Sequence, residues 1–399
     1  MVFQKLPSTL RGIEEQHRDV VVQRRLSDVM IDSSQDLIVW VETVSEAPVT
    51  VRHHLRALST GDVHPLACDG GYIALKYDPT RSSEAVADIC GDYLLLEMFE
   101  RSRPTAGWEH VVYNWKTGTI VFSGAQGPWG AYQRTRFLDP WHLILDVSAS
   151  YHDRTVGIKV VQFRDGPSAA SIDDDISYTY FFLLPAAVQN ISTIIESHMS
   201  PWRASSSGGA PGWFHSDPAE RLLVVNAYAG VPSGDIAIHV SVRMLLAYVR
   251  SHPPPPAPVP WEAWGLECAR VVLLPQKMLG FLVHGMRTVA VSDPALQTRP
   301  TMTVLDYHPR RVARALARDR EARILSVNDI RVEHDPFPVT TSFPCLKTEV
   351  PVPDDLARLF SGVGYPTLRV FLCEDGVMVT EVEQIGDSDV VKNAWTFTI

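Results

Sequence analysis

The sequence lacks long apolar runs, an export signal and an excess of positive charge. Its 399 residues contain no stretch of about 18 or more apolar residues, so no transmembrane helix and no membrane partner are expected. The first residues have no apolar core of the secretory type, which predicts an intracellular location, cytoplasmic or nuclear. The formal net charge of −10 argues against nucleic acid as a partner.

Cysteine is also scarce, and its spacing is uninformative. The five cysteines are far apart and form no Cys-x-x-Cys pair: Cys68, Cys90, Cys268, Cys345 and Cys373. Without an export signal, such residues are more often reduced and buried than cross-linked or metal-bound. The sequence therefore predicts five free thiols inside the fold.

Motifs that carry catalytic chemistry are missing as well. The chain contains no HExxH, GxSxG, GxxxxGK[ST] or GxGxxG pattern. His53 and His54 are adjacent, so on a strand they face opposite sides and cannot share one metal ion. The sequence therefore predicts no catalytic residue, no metal site and no cofactor, and hence a protein that is not an enzyme.

Short strand-like segments dominate what is present. Runs rich in β-branched and aromatic residues alternate with Gly, Pro, Asp and Ser, and Asp375-Gly376 between two apolar runs indicates a hairpin. Helical periodicity is confined to Val242–Ser251 and Pro353–Gly362, while "HPRRVARALARD" (308–319) suits either a strand leading into a turn or a helix. The fold class is therefore predicted to be all-β, with a few short helical insertions.

Two landmarks recur at nearly the same interval along the chain. Asp36 and Asp92 each precede an apolar strand and are 56 residues apart, and the Thr-Gly turns at Thr60 and Thr117 are 57 residues apart. "MTVLDYHPRRVARAL" (302–316), preceded by "VHGMRTVAVS", is interpreted as a third copy whose Thr-Gly turn has become His-Pro-Arg.

A strand-and-turn repeat of this length is typical of a β-propeller. We predict a degenerate WD-type propeller of about seven blades over residues 25–399, after an N-terminal extension at 1–24. The alternative architecture is a pair of β-sandwiches divided near Pro253.

Two loops stand out by their composition. The proline-rich segment 252–264 is interpreted as a stiff loop between blades rather than as a ligand for proline-recognition domains. The Ser/Gly-rich segment 200–217 carries aromatic and basic residues suited to binding a protein: Trp202, Arg203, Trp213 and Phe214. The alternative is that its tryptophans only fix the loop to its own blades.

Several segments resemble the F-box-type proteins of mushroom-forming fungi, in order along most of the chain. Those segments include "SSQDLIVWVE", "LRALSTGDVHPLA", "YNWKTGTIV", "FLDPWHLIL", "LDYHPRRVARALAR" and "TLRVFLCEDGV". The resemblance covers the region downstream of the F-box, which in that family is propeller-like and selects protein targets for a ubiquitin ligase.

The resemblance implies a non-enzymatic protein-binding module whose target is a protein. Family members open on an F-box that binds a Skp-type adaptor, but the residues after Leu6-Pro7 lack that pattern. The adaptor is therefore expected as a partner only if an F-box is supplied elsewhere. Alternative functions are a propeller lectin or hydrolase, or a truncated family member without a selected role.

Overall fold

The structure is a computed structural model of the chain, and it describes most of the strands. The described residues are 2–5, 16–19, 28–44, 50–76, 85–99, 108–126, 135–147, 156–163, 168–169, 180–186, 188, 194–196, 219–228, 235–273, 278–292, 301–318, 324–325, 341, 343–351, 367–373, 376–385 and 388–398. These residues are mainly antiparallel strands, with three α-helices among them, so the all-β class with few helices is confirmed.

The chain divides into two compact units, each assembled from several segments. Unit 1 comprises Met1–Leu183, Pro201–Pro218 and Pro254–Val259, and unit 2 comprises Leu184–Ser200, Ala219–Pro253 and Pro260–Ile399.

Unit 1 contains a short hairpin followed by three antiparallel sheets. The hairpin joins β1 (Val2–Lys5) to β2 (Gln16–Asp19). Sheet 1 is β3 (Asp28–Asp32), β4 (Leu37–Val44), β5 (Thr50–Ala57) and β6 (Tyr72–Lys76); sheet 2 is β7 (Ala85–Cys90), β8 (Tyr93–Phe99), β9 (Trp108–Asn114) and β10 (Thr119–Gln126). Sheet 3 is β11 (Thr135–Asp139), β12 (His142–Val147), β13 (Gly157–Gln162) and β15 (Tyr180–Leu183), while β14 (Ser168–Ala169) pairs in parallel with β10.

Unit 2 also contains three sheets, and its helices follow third strands. Sheet 4 is β16 (Ile194–Glu196), β17 (Leu222–Tyr228), β18 (Asp235–Ser241) and β19 (Ala269–Leu273), with α1 (Val242–Ser251) and α2 (Trp261–Cys268) between the last two strands. Sheet 5 is β20 (Met278–His284), β21 (Arg287–Ser292), β22 (Thr301–Asp306), β23 (Ile324–Leu325) and β24 (Cys345–Pro351), with α3 (Pro309–Arg318) after β22. Sheet 6 is β25 (Thr367–Cys373), β26 (Gly376–Ile385) and β27 (Ser388–Thr398), and its pairing of β25 with β26 confirms the predicted hairpin.

Neighbouring sheets pack through apolar faces within each unit. In unit 1, β3 contacts β7 and β7 contacts β11. The core between sheets 1 and 2 is formed by alternate strand residues such as Leu37, Val39 and Leu94, together with Trp115. Alternation places these side chains on one face, and burying each one contributes about 1.5–3 kcal/mol. In unit 2, a second core gathers residues of sheets 4 and 5, among them Leu222, Val224, Leu305 and Tyr307.

One hydrogen bond recurs in five of the sheets. In each, the residue that follows the third strand donates its backbone N–H to the carbonyl of the residue directly before the second strand. The pairs are Leu58 with Asp36 (2.7 Å), Trp115 with Asp92 (3.0 Å), Phe163 with Trp141 (3.1 Å), Val242 with Arg221 (3.1 Å) and Tyr307 with Met286 (2.8 Å). Asp36 and Asp92 therefore occupy equivalent positions, as their spacing predicted.

The two Thr-Gly turns are equivalent as well. Gly61 and Gly118 each lie three residues after the donor of the recurring bond, and both have positive φ, 79° and 72°. Each glycine N–H donates to a carbonyl four residues earlier, that of Ala57 in one turn and of Asn114 in the other. Glycine adopts this left-handed backbone without steric cost, which explains its presence in both turns.

The proposed third copy is correct in its strands and wrong in its turn. Tyr307 makes the recurring bond to Met286, so β21 and β22 match the second and third strands of sheets 1 and 2. The chain then enters α3 instead of closing a tight turn, and the next strand of the sheet comes from β24. The carboxylate of Asp306 accepts the N–H of His308 at 2.9 Å, which directs the chain into the helix.

Predictions for the remaining segments have mixed outcomes. The helix at Val242–Ser251 is confirmed, whereas 353–362 lies outside the described residues. The proline-rich segment ends in an unpredicted helix, α2, and Val259 pairs in parallel with Phe182 at the edge of sheet 3. Four cysteines are free and buried, as predicted, while the side chain of Cys373 lies outside the described part.

Candidate functional site

The binding residues predicted from the sequence lie outside the described part of the chain. Trp202, Arg203, Trp213 and Phe214 all belong to 201–218, which the structure does not describe. Their role remains a prediction, and the candidate sites below are built from described residues alone.

A buried polar cluster joins sheets 2 and 3 in unit 1. Glu97 and His110 face each other across β8 and β9, and neither is exposed to solvent. The N–H of Thr135, at the start of β11, donates to Glu97 Oε1 at 2.5 Å, and its hydroxyl lies 2.9 Å from His110 Nδ1. Arg136 Nη1 lies 3.6 Å from Glu97 Oε2 and donates to the Thr135 carbonyl at 2.8 Å. A single carboxylate thus fixes the first residues of sheet 3 against sheet 2.

A second buried cluster lies in unit 2. Tyr307 hydrogen-bonds to His239 Nδ1 and stacks on Phe343 at 5.0 Å between ring centroids. Burial raises the pKa of the Tyr307 hydroxyl well above its usual range, and burial together with the charge of Arg270 lowers the pKa of His239 to about 3. At neutral pH the Tyr307 hydroxyl is therefore protonated and the His239 imidazole is neutral.

Both clusters are enclosed by the protein, which fits a structural role. Burial also raises the pKa of Cys345 beside Tyr307, and that of Cys268 to about 11, so neither thiol is an activated nucleophile. Among the described residues, no three His, Cys, Asp or Glu side chains are grouped to hold a metal ion. No helix in this part of the chain is long and apolar enough to cross a membrane.

His53 occupies the position in sheet 1 that His110 occupies in sheet 2. Each lies five residues before the donor of the recurring bond, Leu58 in one sheet and Trp115 in the other, and each is fully buried. His53 is paired in the sheet with Val41 and Ile73 instead of a carboxylate. Burial lowers its pKa from 6.5 to about 4, so His53 is neutral in the folded protein at neutral pH.

We expect His53 to make the folded state sensitive to acid. The unfolded chain protonates this residue near pH 6.5 and the folded chain only near pH 4, so the unfolded state binds more protons between those values. The free energy of unfolding should fall as the pH is lowered through this window, with a contribution from His53 of about 3 kcal/mol. Urea titrations across the window should show a weaker pH dependence for His53→Leu than for the wild type. Ile73→Val, which alters the same site without a titrating group, should retain the wild-type slope; equal slopes for all three proteins would contradict this assignment.

The surface features of interest lie where the third strand of each sheet ends. In sheet 1 the connection from Leu58 to Gly71 crosses toward sheet 2, and His64 anchors it. His64 Nδ1 accepts the N–H of Leu66 at 3.1 Å, and Nε2 contacts the Gln35 carbonyl at 3.0 Å, which requires the neutral tautomer with its proton on Nε2. The ring of His64 also meets Trp115 edge-on at 5.0 Å.

This anchored loop presents apolar side chains to solvent. Val63 is 47% exposed and Leu66 is 56% exposed, although His64 between them is buried. At Gly71, with φ +67°, a Cβ atom would come within 2.5 Å of Val63, so only glycine permits this close approach. The loop therefore holds two exposed apolar residues on a fixed backbone.

In unit 2 the corresponding ends of sheets 4 and 5 carry helices instead of loops. Helix α1 starts at Val242, the donor of the recurring bond, and buries Leu245, Leu246 and Val249. Helix α3 starts two residues after the equivalent Tyr307 and buries Val312 against the sheet.

Glu220 links the starts of these two helices. Its Oε1 lies 2.9 Å from Arg243 Nη1 on α1, and its Oε2 lies 3.3 Å from His308 Nε2 ahead of α3. Arg243 nevertheless remains 63% exposed. Unit 2 therefore presents a basic helical surface at this end.

The sequence predicted no function for either the loop that carries Val63 and Leu66 or the helical surface of unit 2. Val63 and Leu66 belong to a segment used only for repeat matching, and single exposed apolar residues have no sequence signal. The signal for α3 was available, because Arg310, Arg314 and Arg318 recur every four residues as helical neighbours do.

Comparisons with known proteins leave the family open. No family model matches the chain, and no curated protein matches it. One solved structure that matches part of the backbone is that of an uncharacterized protein of Listeria monocytogenes, with 9% sequence identity and a TM-score of 0.39. The match covers 73% of this chain and 70% of that one. At this level of similarity it carries no inference about function.

Proposed function

We propose that this chain is a non-enzymatic protein-binding module built on a degenerate WD-type propeller of about seven blades. Serial sheets of three to five strands, five of which share one recurring backbone hydrogen bond, support a repeated blade. Contacts between the first strands of successive sheets in unit 1 support the same arrangement. The sequence resemblance to the target-recognition region of fungal F-box proteins points to the same kind of module. If an F-box is supplied elsewhere, the module selects substrates for a ubiquitin ligase.

The observation that carries the binding function is the anchored apolar loop. Val63 and Leu66 are about half exposed on a backbone that His64 and Cys68 fix to sheet 2, Cys68 by donating its N–H to the Trp115 carbonyl at 3.1 Å. A rigid loop loses little conformational entropy when a partner covers it, so its apolar area contributes efficiently to binding.

Capture from a cell lysate, followed by affinity measurement with the purified partner, tests this function. Val63→Ser/Leu66→Ser should weaken binding by more than about 1 kcal/mol, the usual threshold for an interface anchor. Ile120→Ser is the matched control, because Ile120 is equally exposed, at 51%, on the neighbouring sheet. Trp213→Ala in the same assay tests the binding loop predicted from the sequence.

Two results would contradict the proposal. The first is the absence of any partner whose capture depends on Val63, Leu66 or Trp213. The second is an equal loss of binding in Ile120→Ser, which would indicate nonspecific apolar adhesion.

A further inference from the structure

Helix α3 is held rigidly at the end of sheet 5. Asp306 is almost fully buried and its Oδ2 accepts hydrogen bonds from Arg287 Nε at 3.0 Å and from Arg311 Nη1 at 3.3 Å. The N–H groups of Arg311 and Val312 donate to the carbonyl of His308, which forms the first turn. The helix therefore has a fixed orientation relative to β22.

The outward face of this helix carries exposed arginine side chains. Arg310 and Arg314 are exposed and one helical turn apart, about 6 Å between their Cβ atoms. Arg311 is 53% exposed although it also pairs with Asp306. Within the described part of the chain, no carboxylate pairs with the side chain of Arg310 or Arg314.

This concentration of positive charge contrasts with the rest of the protein. The chain carries a formal net charge of −10, yet the ten residues of α3 include four arginines and no acidic residue. Arg243, brought near the start of α3 by the Glu220–His308 contact, adds a further exposed guanidinium. A local field of sign opposite to the net charge attracts an anionic partner to this place in particular.

The exposed apolar residue of α3 lies on another side of the helix. Leu316 is 55% exposed, but it follows Arg310 by six residues and Arg314 by two, so at about 100° per residue it projects away from both. The arginine face therefore offers charge without an apolar anchor. A nucleic acid carries dense negative charge beyond the length of one helix, which the net charge of −10 disfavours, so a short acidic segment of a protein fits this face better.

We propose that the exposed arginine face of α3, with Arg243 beside it, binds an Asp/Glu-rich segment of a partner protein. Bidentate contacts between guanidinium and carboxylate groups suit four closely spaced arginines. This inference rests on the proposed protein-binding function and specifies the chemistry of the partner.

Fluorescence anisotropy with three labelled probes of about ten units tests the proposal on the full chain. The probes are a peptide of alternating Asp and Glu, the same peptide with Asn and Gln in place of the acids, and a single-stranded oligonucleotide of matching charge. The acidic peptide should bind best, and raising NaCl from about 50 mM to about 300 mM should weaken its binding severalfold through screening.

The decisive variant is Arg310→Gln/Arg314→Gln, which retains good helix formers at both positions. It should weaken binding of the acidic peptide about tenfold, because two exposed charge pairs are lost. Leu316→Ser, on another side of the same helix, should change binding less than about twofold. Arg250→Gln, an exposed arginine in the last turn of α1, is the matched control and should change binding less than about twofold. Circular dichroism checks that each variant keeps its fold.

The outcomes separate this inference from the function it rests on. Absence of acidic-peptide binding, equal loss in Arg250→Gln, or tighter binding of the oligonucleotide would each overturn the docking surface. If a partner is still captured through Val63 and Leu66, the protein-binding function stands and only the assignment of α3 falls. If neither surface binds a protein, the protein-binding function and the docking surface on α3 are both contradicted.

Discussion

Trp115→Ala is expected to lower the free energy of unfolding by about 3–5 kcal/mol, the range for removing a large buried aromatic side chain. Trp115 is fully buried in the core between sheets 1 and 2. Its indole Nε1–H donates to the Gly91 carbonyl at 2.8 Å, and its backbone carbonyl accepts the N–H of Cys68. The substitution therefore opens a cavity and removes one of the two hydrogen bonds to the Gly91 carbonyl, which still accepts from Gln35 Nε2 at 2.7 Å.

Two companion variants separate these effects in urea unfolding. Trp115→Phe keeps most of the packing and loses the indole hydrogen bond to Gly91, so it should lower the free energy of unfolding by about 0.5–1.5 kcal/mol. Ile120→Ala, at a half-exposed position on the next strand, should cost less than about 0.5 kcal/mol. If Trp115→Ala lowered the free energy of unfolding by less than about 1 kcal/mol, Trp115 would not be central to the core between sheets 1 and 2.

Glu97→Ala is expected to be similarly damaging, at about 3–5 kcal/mol, because it breaks a buried polar cluster by removing one partner. The backbone N–H of Thr135 and the side chain of Arg136 would lose their carboxylate, and His110 would be left beside a cavity. The start of sheet 3 would then lose its fixed position against sheet 2.

A double-mutant cycle with His110→Ala measures how strongly the pair is coupled. The coupling free energy should be about 0.5–3 kcal/mol, since the two side chains share Thr135. Glu109→Ala is the matched control, because the next residue on β9 points to the opposite face and is partly exposed. Additive effects of Glu97→Ala and His110→Ala, or an equal cost for Glu109→Ala, would contradict a cooperative cluster.

Local patterns anticipated a large part of the fold. The strands, helix α1 and the equivalence of Asp36 with Asp92 follow from alternation, turn glycines and spacing. These signals lie within short stretches of chain. The positions of the free cysteines also followed, because a small apolar thiol is usually buried.

The candidate sites were far less predictable. Glu97 and Thr135 are 38 residues apart, and His64 meets Trp115 across two sheets. Neither contact has a local pattern, because each depends on how one sheet packs against the next. Helix α3 was ambiguous because its arginine and alanine content gives little apolar periodicity, and Val312 is the one buried residue among its described side chains.

The sequence by itself determined the class of the fold, the repeat and the positions of its turns, because strand alternation and glycine conformation are properties of neighbouring residues. Only the tertiary structure decided which polar residues are buried in clusters, and that the third copy of the repeat continues as a helix. It alone also brought Arg243, Glu220 and His308 together at one end of unit 2. The physical reason is that burial and charge pairing are set by contacts between distant segments, which form only when the sheets pack.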